Sequence, residues 1–344
     1  MTTSDVGSTS VDPALVEMMS AVFAGYRDTH PPVKAVQRDT DLWRRLDDLG
    51  LVRLTGGEES GGSGAGWFEA AELLGAAARN AVRVPLAEHD LLACWLLDAN
   101  GMPGDGAART VCLLDDQGVA RGVPWASGSE RIVVVWPDGS GYRSADVDAG
   151  ALEIASGTNL IGEPRDTVVA DVAALDGTPV AGDLVDRLRL KSALVRAVQV
   201  CAVLDQIVVS SIDHAGSRTQ FGRALSRFQA VQHLIADLAA EAALARAATE
   251  AALTTAVTSD WSAANLHFRI AVARSCAGHA ASVVVRNAHQ VHGAIGTTHE
   301  HRLHEFTRAA LAWRSEFGSV RYWDQQVTDA TLAAGADMWG LITG

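Results

Sequence analysis

The chain has 344 residues, of which 48% are hydrophobic and 20% are charged. This is the composition of a folded globular protein that is long enough to bury a sizeable core, in one large domain or several packed ones. Its formal net charge is −13 at pH 7, and no basic stripe offsets that charge. We therefore expect neither nucleic acid nor an anionic membrane surface as a partner.

The cysteines and the N-terminus indicate a reducing compartment. Cys94, Cys112, Cys201 and Cys276 are far apart and form no CxxC pair, so neither a zinc site nor a disulfide framework is indicated. The opening MTTSDVGSTSVDP lacks the pattern of a signal peptide, and we expect no apolar run as long as the roughly 18 residues of a membrane span. These features predict a cytoplasmic protein.

Helices are predicted for most of the first hundred residues. Apolar residues recur at helical spacing in the segments 11–27, 41–49, 67–79 and 88–99. The glycine-rich stretch 56–66 is typical of a loop.

The pattern then changes to short β-branched runs separated by Gly, Pro, Asp and Ser. Strands are predicted at 111–116, 131–136, 151–156 and 166–172. Their spacing favours a small antiparallel sheet or barrel, because it leaves no room for the crossover helices of a parallel sheet.

Long alanine-rich helices follow, at 184–216, 224–255 and 262–292. Such composition favours helix and allows helices to approach closely, as in an antiparallel bundle. The protein is thus predicted to be mainly α with a small β domain. The predicted domains are 1–108, 109–182 and 183–344.

The turn between the first two long helices carries a group of polar and aromatic residues. Within 214-HAGSRTQFGRALSRFQAVQHLIADL-238, this group comprises Arg218, Gln220, Phe221, Gly222 and Gln229. An arginine fork suits a pyrophosphate, and an exposed aromatic ring suits a flat ring system. The alternative is an ordinary helix hairpin broken at Gly222.

A second group lies in 290-QVHGAIGTTHEH-301. Gly293 and Gly296 allow the backbone to pass close to a ligand, while Gln290 and Thr297 can hydrogen-bond a nucleotide or a flavin edge. The histidines nearby, at positions 292, 299, 301 and 304, straddle a glycine break and lack carboxylate support. We therefore expect no metal site.

These two segments together resemble the paired signature of the acyl-CoA dehydrogenase family: RTQFG with FQAVQHLIADL, and then QVHGAIGTTHEH. The stretches 43-WRRLDDLGLVRLTGGEESGGSG-64 and 68-FEAAELLGAAARNAVRVPLAE-88 are similar to the first domain of that family. The resemblance implies an N-terminal helical domain, a middle β domain and a C-terminal four-helix bundle. It also implies FAD as cofactor and oxidation of the Cα–Cβ bond of a CoA thioester.

Such chemistry needs a carboxylate that removes the α-proton while hydride leaves from the β-carbon. In 308-RAALAWRSEFGS-319, Glu316 falls where many family members place this base, although it could equally be a surface glutamate near a helix end. Other members draw the base from the helix before RTQFG. Here that region, 187-RLRLKSALVRAVQ-199, has Ser192 near the expected place and no carboxylate.

The β region departs from the family pattern. The usual Thr-Glu-Pro stretch with a following Gly-Ser is absent from 113-LLDDQGVARGVPWASGSER-131. Trp125 and Ser127 are the residues of this region that we place near the flavin.

Three functions are open at this point. The first is an acyl-CoA dehydrogenase that passes electrons to an electron-transferring flavoprotein. The second is a non-catalytic subunit that completes the FAD site of an unlike chain, and the third is an oxygen-using flavoenzyme of the same fold. The family assembles as dimers or tetramers, in which Arg218 would reach the FAD of a neighbouring subunit.

Overall fold

The N-terminal region is helical, as predicted. The computed structural model describes residues 11–102 and 104–343. The helices of this region are α1 (Pro13–Thr29), α2 (Thr40–Asp48), α3 (Trp67–Arg79), a π-helix (Ala87–Cys94) and α4 (Trp95–Ala99).

Local signals explain where α1 begins and which face it buries. Asp12 caps the helix by accepting a hydrogen bond from the backbone N–H of Ala14, and Pro13 occupies the first turn, where its missing N–H costs nothing. The face with Phe23 packs against Leu46 of α2 and Leu73 of α3 in one apolar core.

The predicted helix 88–99 contains a feature that its sequence does not announce. Its first part is the π-helix, in which Glu88, His89 and Asp90 are all buried. π-helical turns are rare in proteins, and those that occur often lie at functional sites. Here the turn directs Glu88 towards the interior of the molecule.

Seven strands form two sheets in the middle region. They are β1 (Arg109–Leu113), β2 (Val119–Pro124), β3 (Arg131–Asp138), β4 (Gly141–Asp148), β5 (Glu153–Ala155), β6 (Arg165–Val169) and β7 (Thr178–Val180). The strand order is β1-β3-β4-β7 in one sheet and β2-β6-β5 in the other.

The prediction of a wholly antiparallel region is wrong for β1 and β3, which pair in parallel. The chain between them crosses through β2, which belongs to the second sheet, so a strand makes the crossover that a helix usually makes. β2, β4 and β7 were not predicted, because arginine, glycine, aspartate or proline interrupts their apolar alternation.

The C-terminal region is a helical bundle, as predicted. Its helices are α5 (Gly182–Ser217), α6 (Gln229–Thr258), α7 (Leu266–His292), α8 (Leu303–Trp313), α9 (Val320–Ala334) and α10 (Met338–Thr343). The helix predicted from 224 begins at Gln229 instead, because the turn before it forms a hairpin of β8 (Thr219–Gln220) and β9 (Arg223–Ala224).

α5 is the central helix of the bundle. By length and mean composition it could cross a membrane, although Arg196 and Asp205 interrupt its apolar residues. However, 72% of its apolar stretch is buried inside the protein, where Val203, Leu204 and Ile207 have no exposed surface. α5 is thus a core helix, packed against α3, α6, α7 and α8.

The three-domain division stays a prediction. Elements change type between Ala99 and Arg109, and again between Val180 and Gly182. One apolar cluster contains residues of all three regions, namely Leu92 of the π-helix, Val133 of β3 and Leu188 of α5. All three regions therefore meet around shared side chains.

Two helical glycines give a matched test of this packing. A Cβ on Gly278 of α7 would lie 2.6 Å from a methyl carbon of Val320 at the start of α9, whereas a Cβ on Gly25 of α1 would meet nothing within 4 Å. We expect Gly25→Ala to raise the free energy of unfolding by about 0.5–1 kcal/mol, because alanine is the better helix former. We expect Gly278→Ala to lower it, because overpacking costs about 1–3 kcal/mol.

Urea unfolding of both variants measures this difference. Equal stabilisation by the two substitutions would contradict the close approach of α7 and α9.

Candidate active site

Glu316 lies in the tight turn between α8 and α9. Phe317 and Gly318 have positive φ angles of 52° and 111°, and a Cβ on Gly318 would lie 2.6 Å from Nε1 of Trp323, so only glycine fits there. Arg274 of α7 fixes the backbone, since its Nη2 donates to the carbonyl oxygens of Glu316 at 2.7 Å and Gly318 at 3.2 Å. The turn therefore presents the Glu316 side chain to the interior.

Both carboxylate oxygens of Glu316 are fully engaged. Oε1 accepts from Asn159 Nδ2 at 3.0 Å and from Arg165 Nε at 2.8 Å. Oε2 accepts from Arg165 Nη2 at 2.9 Å and from Arg196 Nε at 2.7 Å. A carboxylate offers about four lone-pair positions, so this one has no position left for a further donor.

These contacts extend into a chain of alternating charges. Arg196 Nη2 also donates to Glu88 at 2.7 Å, and Arg165 Nη2 also donates to Glu163 at 2.8 Å. We call Glu88, Arg196, Glu316, Arg165 and Glu163 the charge network; none of these side chains is more than 15% exposed. Its members come from the π-helix, α5, the α8–α9 turn and the β6 region, so it joins all three regions of the chain.

The network sets the ionisation of Glu316. Burial by itself would raise the pKa of Glu316, but the charges of Arg196 and Arg165, with hydrogen bonds from Arg165 and Asn159, outweigh burial and lower the pKa to about 2. The pKa of Arg196 is raised: burial lowers it, but Glu316 and Glu88 outweigh burial. Glu316 is therefore a stable anion at neutral pH and a weak proton acceptor.

Glu316 faces a cleft of about 750 Å³ between the β region and the bundle. Leu113 and Val123 line it on the β side, and Ser192 and Tyr322 line it on the helical side. Ser192 offers no carboxylate, and its Oγ donates to the carbonyl oxygen of Leu188 at 2.8 Å. Glu316 is thus the carboxylate that lines this cleft, and its oxygens are already bound by Asn159, Arg165 and Arg196.

The turn before α6 stands on the surface. Phe221 adopts a positive φ of 52° and is 90% exposed, at the tip of the β8–β9 hairpin. Arg218, Gln220, Gly222 and Gln229 are also exposed. We call these five residues the corner.

The last turn of α7 and the 3-10 turn Gly293–Thr297 carry the second predicted group of residues. Gln290, Gly293 and Thr297 are exposed, and a Cβ on Gly293 would meet nothing within 4 Å. Gly296 differs from its predicted role, since it is buried and a Cβ there would lie 2.8 Å from the Cβ of His292. Gly296 therefore serves packing within the chain and not ligand contact.

Trp125 and Ser127 follow β2. Trp125 is only 2% exposed, so its ring packs inside the β region and does not face a ligand. Ser127 is exposed, and its backbone N–H donates to Asp166 Oδ2 at 2.8 Å. Neither residue lines the cleft beside Glu316.

Histidines join the ends of α5 and α7. The ring of His214 stacks on that of His292 with centroids 4.4 Å apart, and His301 meets His292 edge-on at 4.7 Å. Burial, with weaker effects of His214 and His301, lowers the pKa of His292 to about 4. His299 and His304 form a separate edge-on pair at 5.1 Å.

Most of the charge network is not predicted from the sequence. Segment 187–199 contains no carboxylate, but it contains Arg196. A signal was present, because an arginine within the apolar run ALVRAVQVCAVL must find a buried partner if that run is a core helix. Nothing in the sequence indicates that Glu88 and Glu316 are those partners.

The network predicts a specific stability change. Glu316→Gln leaves Arg165 and Arg196 buried with a neutral partner, so we expect the free energy of unfolding to fall by about 3 kcal/mol or more at pH 7. A carboxylate with a lowered pKa stabilises the fold above its ordinary pKa of 4.5 and loses that contribution as the pH falls towards about 2. The difference between wild type and variant should therefore shrink below pH 4.5.

Urea unfolding at several pH values measures this effect. Glu72→Gln is the matched control, because Glu72 pairs with Arg79 at 3.3 Å with both side chains partly exposed, and we expect a change below about 1 kcal/mol. Equal small effects of the two substitutions would contradict the buried ion pairs of Glu316 with Arg165 and Arg196.

Comparison with known proteins gives related results at three levels. Residues 176–321 match the family model for the C-terminal domain of acyl-CoA dehydrogenase. The chain is 28% identical over 280 residues to acyl-CoA dehydrogenase IpdE2 of Mycobacterium tuberculosis. The aligned region covers 79% of this chain and 80% of that protein.

Solved structures share the whole architecture. The ChsE4-ChsE5 complex from Mycobacterium tuberculosis matches with a TM-score of 0.80 and 21% identity, covering 95% of this chain and 99% of that chain. A variant of the Tcur3481-Tcur3483 steroid ACAD matches with a TM-score of 0.80 and 21% identity, covering 93% and 98%. At this identity these structures establish the fold, as predicted from the sequence.

The domain match, the relative and the shared fold agree with the motifs around Arg218 and Gln290. The chain therefore carries, over residues 176–321, a match to the C-terminal domain of the acyl-CoA dehydrogenase family, whose members bind FAD.

Proposed function

We propose that this chain is one subunit of a two-chain acyl-CoA dehydrogenase, in which it supplies part of the FAD site and not the catalytic base. The observation that carries the proposal is the state of Glu316, whose carboxylate is bound by Asn159, Arg165 and Arg196.

A base that removes the α-proton of a thioester must bind that proton well. Enzymes achieve this by raising the pKa of the carboxylate towards neutrality, chiefly through burial. Glu316 departs in the opposite direction, to a pKa of about 2, and its lone pairs are occupied. In this proposal Glu316 therefore holds Arg165 and Arg196 in place at the wall of the cleft.

The corner and the strip, as we call residues 290–297, suit one side of a dinucleotide. The guanidinium of Arg218 is exposed and can form a fork with a pyrophosphate. Phe221 is 90% exposed, so its ring is available to stack on a flat ligand. The open space at Gly293 lets the backbone approach closely, with Gln290 and Thr297 as polar neighbours.

FAD, when bound, would accept hydride from the β-carbon of the CoA thioester. Residues of this chain would bind and orient the nucleotide, and the apolar walls of the cleft would exclude water from the acyl group. An electron-transferring flavoprotein is the proposed acceptor. The buried, unpaired thiols of Cys94, Cys112 and Cys201 support a cytoplasmic location, where thiols stay reduced.

Two further facts favour an unlike partner. The β region lacks the Thr-Glu-Pro motif that the family uses around the flavin. Two solved relatives with the same fold, ChsE4-ChsE5 and Tcur3481-Tcur3483, carry the names of two different chains. A chain with an intact corner and an altered β region is consistent with such an assembly.

A second candidate is a self-sufficient dehydrogenase with Glu316 as its base. The position of Glu316 in the cleft, beside Ser192 and Phe317, favours it. This function requires Arg165 to swing away when the substrate binds, which would remove one donor from each carboxylate oxygen and raise the pKa of Glu316. A comparison of aerobic with anaerobic turnover distinguishes an oxygen-using flavoenzyme from these two kinds of dehydrogenase.

Flavin content tests the role of the corner. We expect the chain alone to retain little FAD, and coexpression with an unlike acyl-CoA dehydrogenase chain to give a yellow complex. Arg218→Ala should then weaken FAD binding about tenfold or more, the usual value of a charged hydrogen bond to phosphate. Fluorescence titration with FAD measures this.

Arg227→Ala is the control, because Arg227 is an exposed arginine of the same turn outside the corner. Stoichiometric FAD on the chain alone, with reduction by an acyl-CoA, would contradict the two-chain proposal. Equal losses of FAD affinity in Arg218→Ala and Arg227→Ala would contradict a role of the corner in binding FAD.

The reductive half-reaction tests the base. In the flavin-loaded complex, we expect Glu316→Gln to leave the rate of flavin reduction per bound flavin within a few-fold of wild type. If Glu316 is the base, this rate should fall by about 10²–10⁴, the usual contribution of general base catalysis. Stopped-flow absorbance at the flavin band, normalised to flavin content, separates this effect from partial unfolding.

A further inference from the structure

Three histidines from distant parts of the sequence converge where α5 and α7 end. One ring nitrogen each from His214, His292 and His301 lies within 4.8 Å of the others. His214 is in the last turn of α5, His292 ends α7, and His301 precedes α8. The cluster is separate from the charge network and from the cleft beside Glu316.

The central histidine is arranged as a ligand. His292 is 5% exposed, and its Nδ1 lies 2.8 Å from the carbonyl oxygen of Ala288, to which it donates as a neutral ring. That bond places the lone pair on Nε2, which is buried and has no hydrogen-bond partner among residues 11–102 and 104–343. Metal-binding histidines commonly donate their second nitrogen to a carbonyl in this way, which fixes the tautomer and the ring.

We propose that His214, His292 and His301 bind a divalent transition metal ion, with zinc as the best match. Three imidazoles suit zinc, and three protein ligands leave one position of a tetrahedral site open. His214 is only half-buried, so water can occupy that position. The site does not depend on the proposed function of the chain.

Binding requires modest rearrangement. Nitrogens bound to one zinc ion lie about 3.4 Å apart, given zinc–nitrogen distances of about 2.0–2.1 Å, so the rings must draw together. Nδ1 of His301 accepts from the backbone N–H of Leu303 at 3.1 Å, and this bond opens if His301 binds through Nε2. One neutral hydrogen bond is weak compared with a set of three coordination bonds.

The ion would link the ends of two helices. It would join the last turn of α5 to the end of α7 and to the segment that leads into α8. Arg218 follows His214 by one helical turn, and Gly293 directly follows His292. A bound ion would therefore order both the corner and the strip.

Metal titration of the full chain, purified without a histidine tag and stripped with a chelator, tests the proposal. We expect one Co²⁺ per chain with the visible absorption bands of a tetrahedral site, one Zn²⁺ by calorimetry, and a rise in melting temperature with Zn²⁺. His214→Ala and His292→Ala should each weaken Zn²⁺ binding by at least about tenfold.

His299→Ala is the matched control, because His299 lies in the same segment but pairs with His304 outside the cluster. It should bind Zn²⁺ as the wild type does. The buried His292 variant could fail to fold, and the half-buried His214 variant then decides. Absence of Zn²⁺ binding to wild type, or equal affinity in wild type and His214→Ala, would overturn the site.

Discussion

The structure depends on the ion pairs that hold Glu316 between Arg165 and Arg196. Two arginine side chains are almost fully buried, and each would be costly inside the protein without a partner. Glu88 and Glu163 complete their pairing, so the π-helix, the β region and the bundle must all be in place before any of these charges is satisfied. A buried network of this kind favours one arrangement of the three regions over its alternatives.

The same network bears on the chemistry. Family resemblance draws attention to Glu316 as a base, and its place in the cleft agrees with that role. Its hydrogen bonds and lowered pKa favour an anchored anion instead. A protein that stabilises a carboxylate strongly also weakens it as a proton acceptor, because both properties follow from the same neighbouring charges. Reaction in this cleft then needs either movement of Arg165 or a base from another chain.

The corner has the opposite character. The charge network is closed and satisfied, whereas the corner around Phe221 is exposed and its polar groups face outward. Exposed aromatic and arginine side chains at a helix turn are suited to a ligand or a second chain. The proposed zinc site would help to fix the corner, since His214 and His292 lie in the last turns of α5 and α7, which precede the corner and the strip.

The sequence by itself determined the helical–β–helical order and the long helices, and two short motifs gave the resemblance to acyl-CoA dehydrogenases. These signals are local, because periodicity, caps and glycine positions act over a few residues. Tertiary structure alone decided the parallel pairing of β1 with β3, the partners of Arg196, the burial of Gly296 and Trp125, and the meeting of His214 with His301. These features join residues far apart in the chain, and no local pattern specifies which distant side chain will lie opposite.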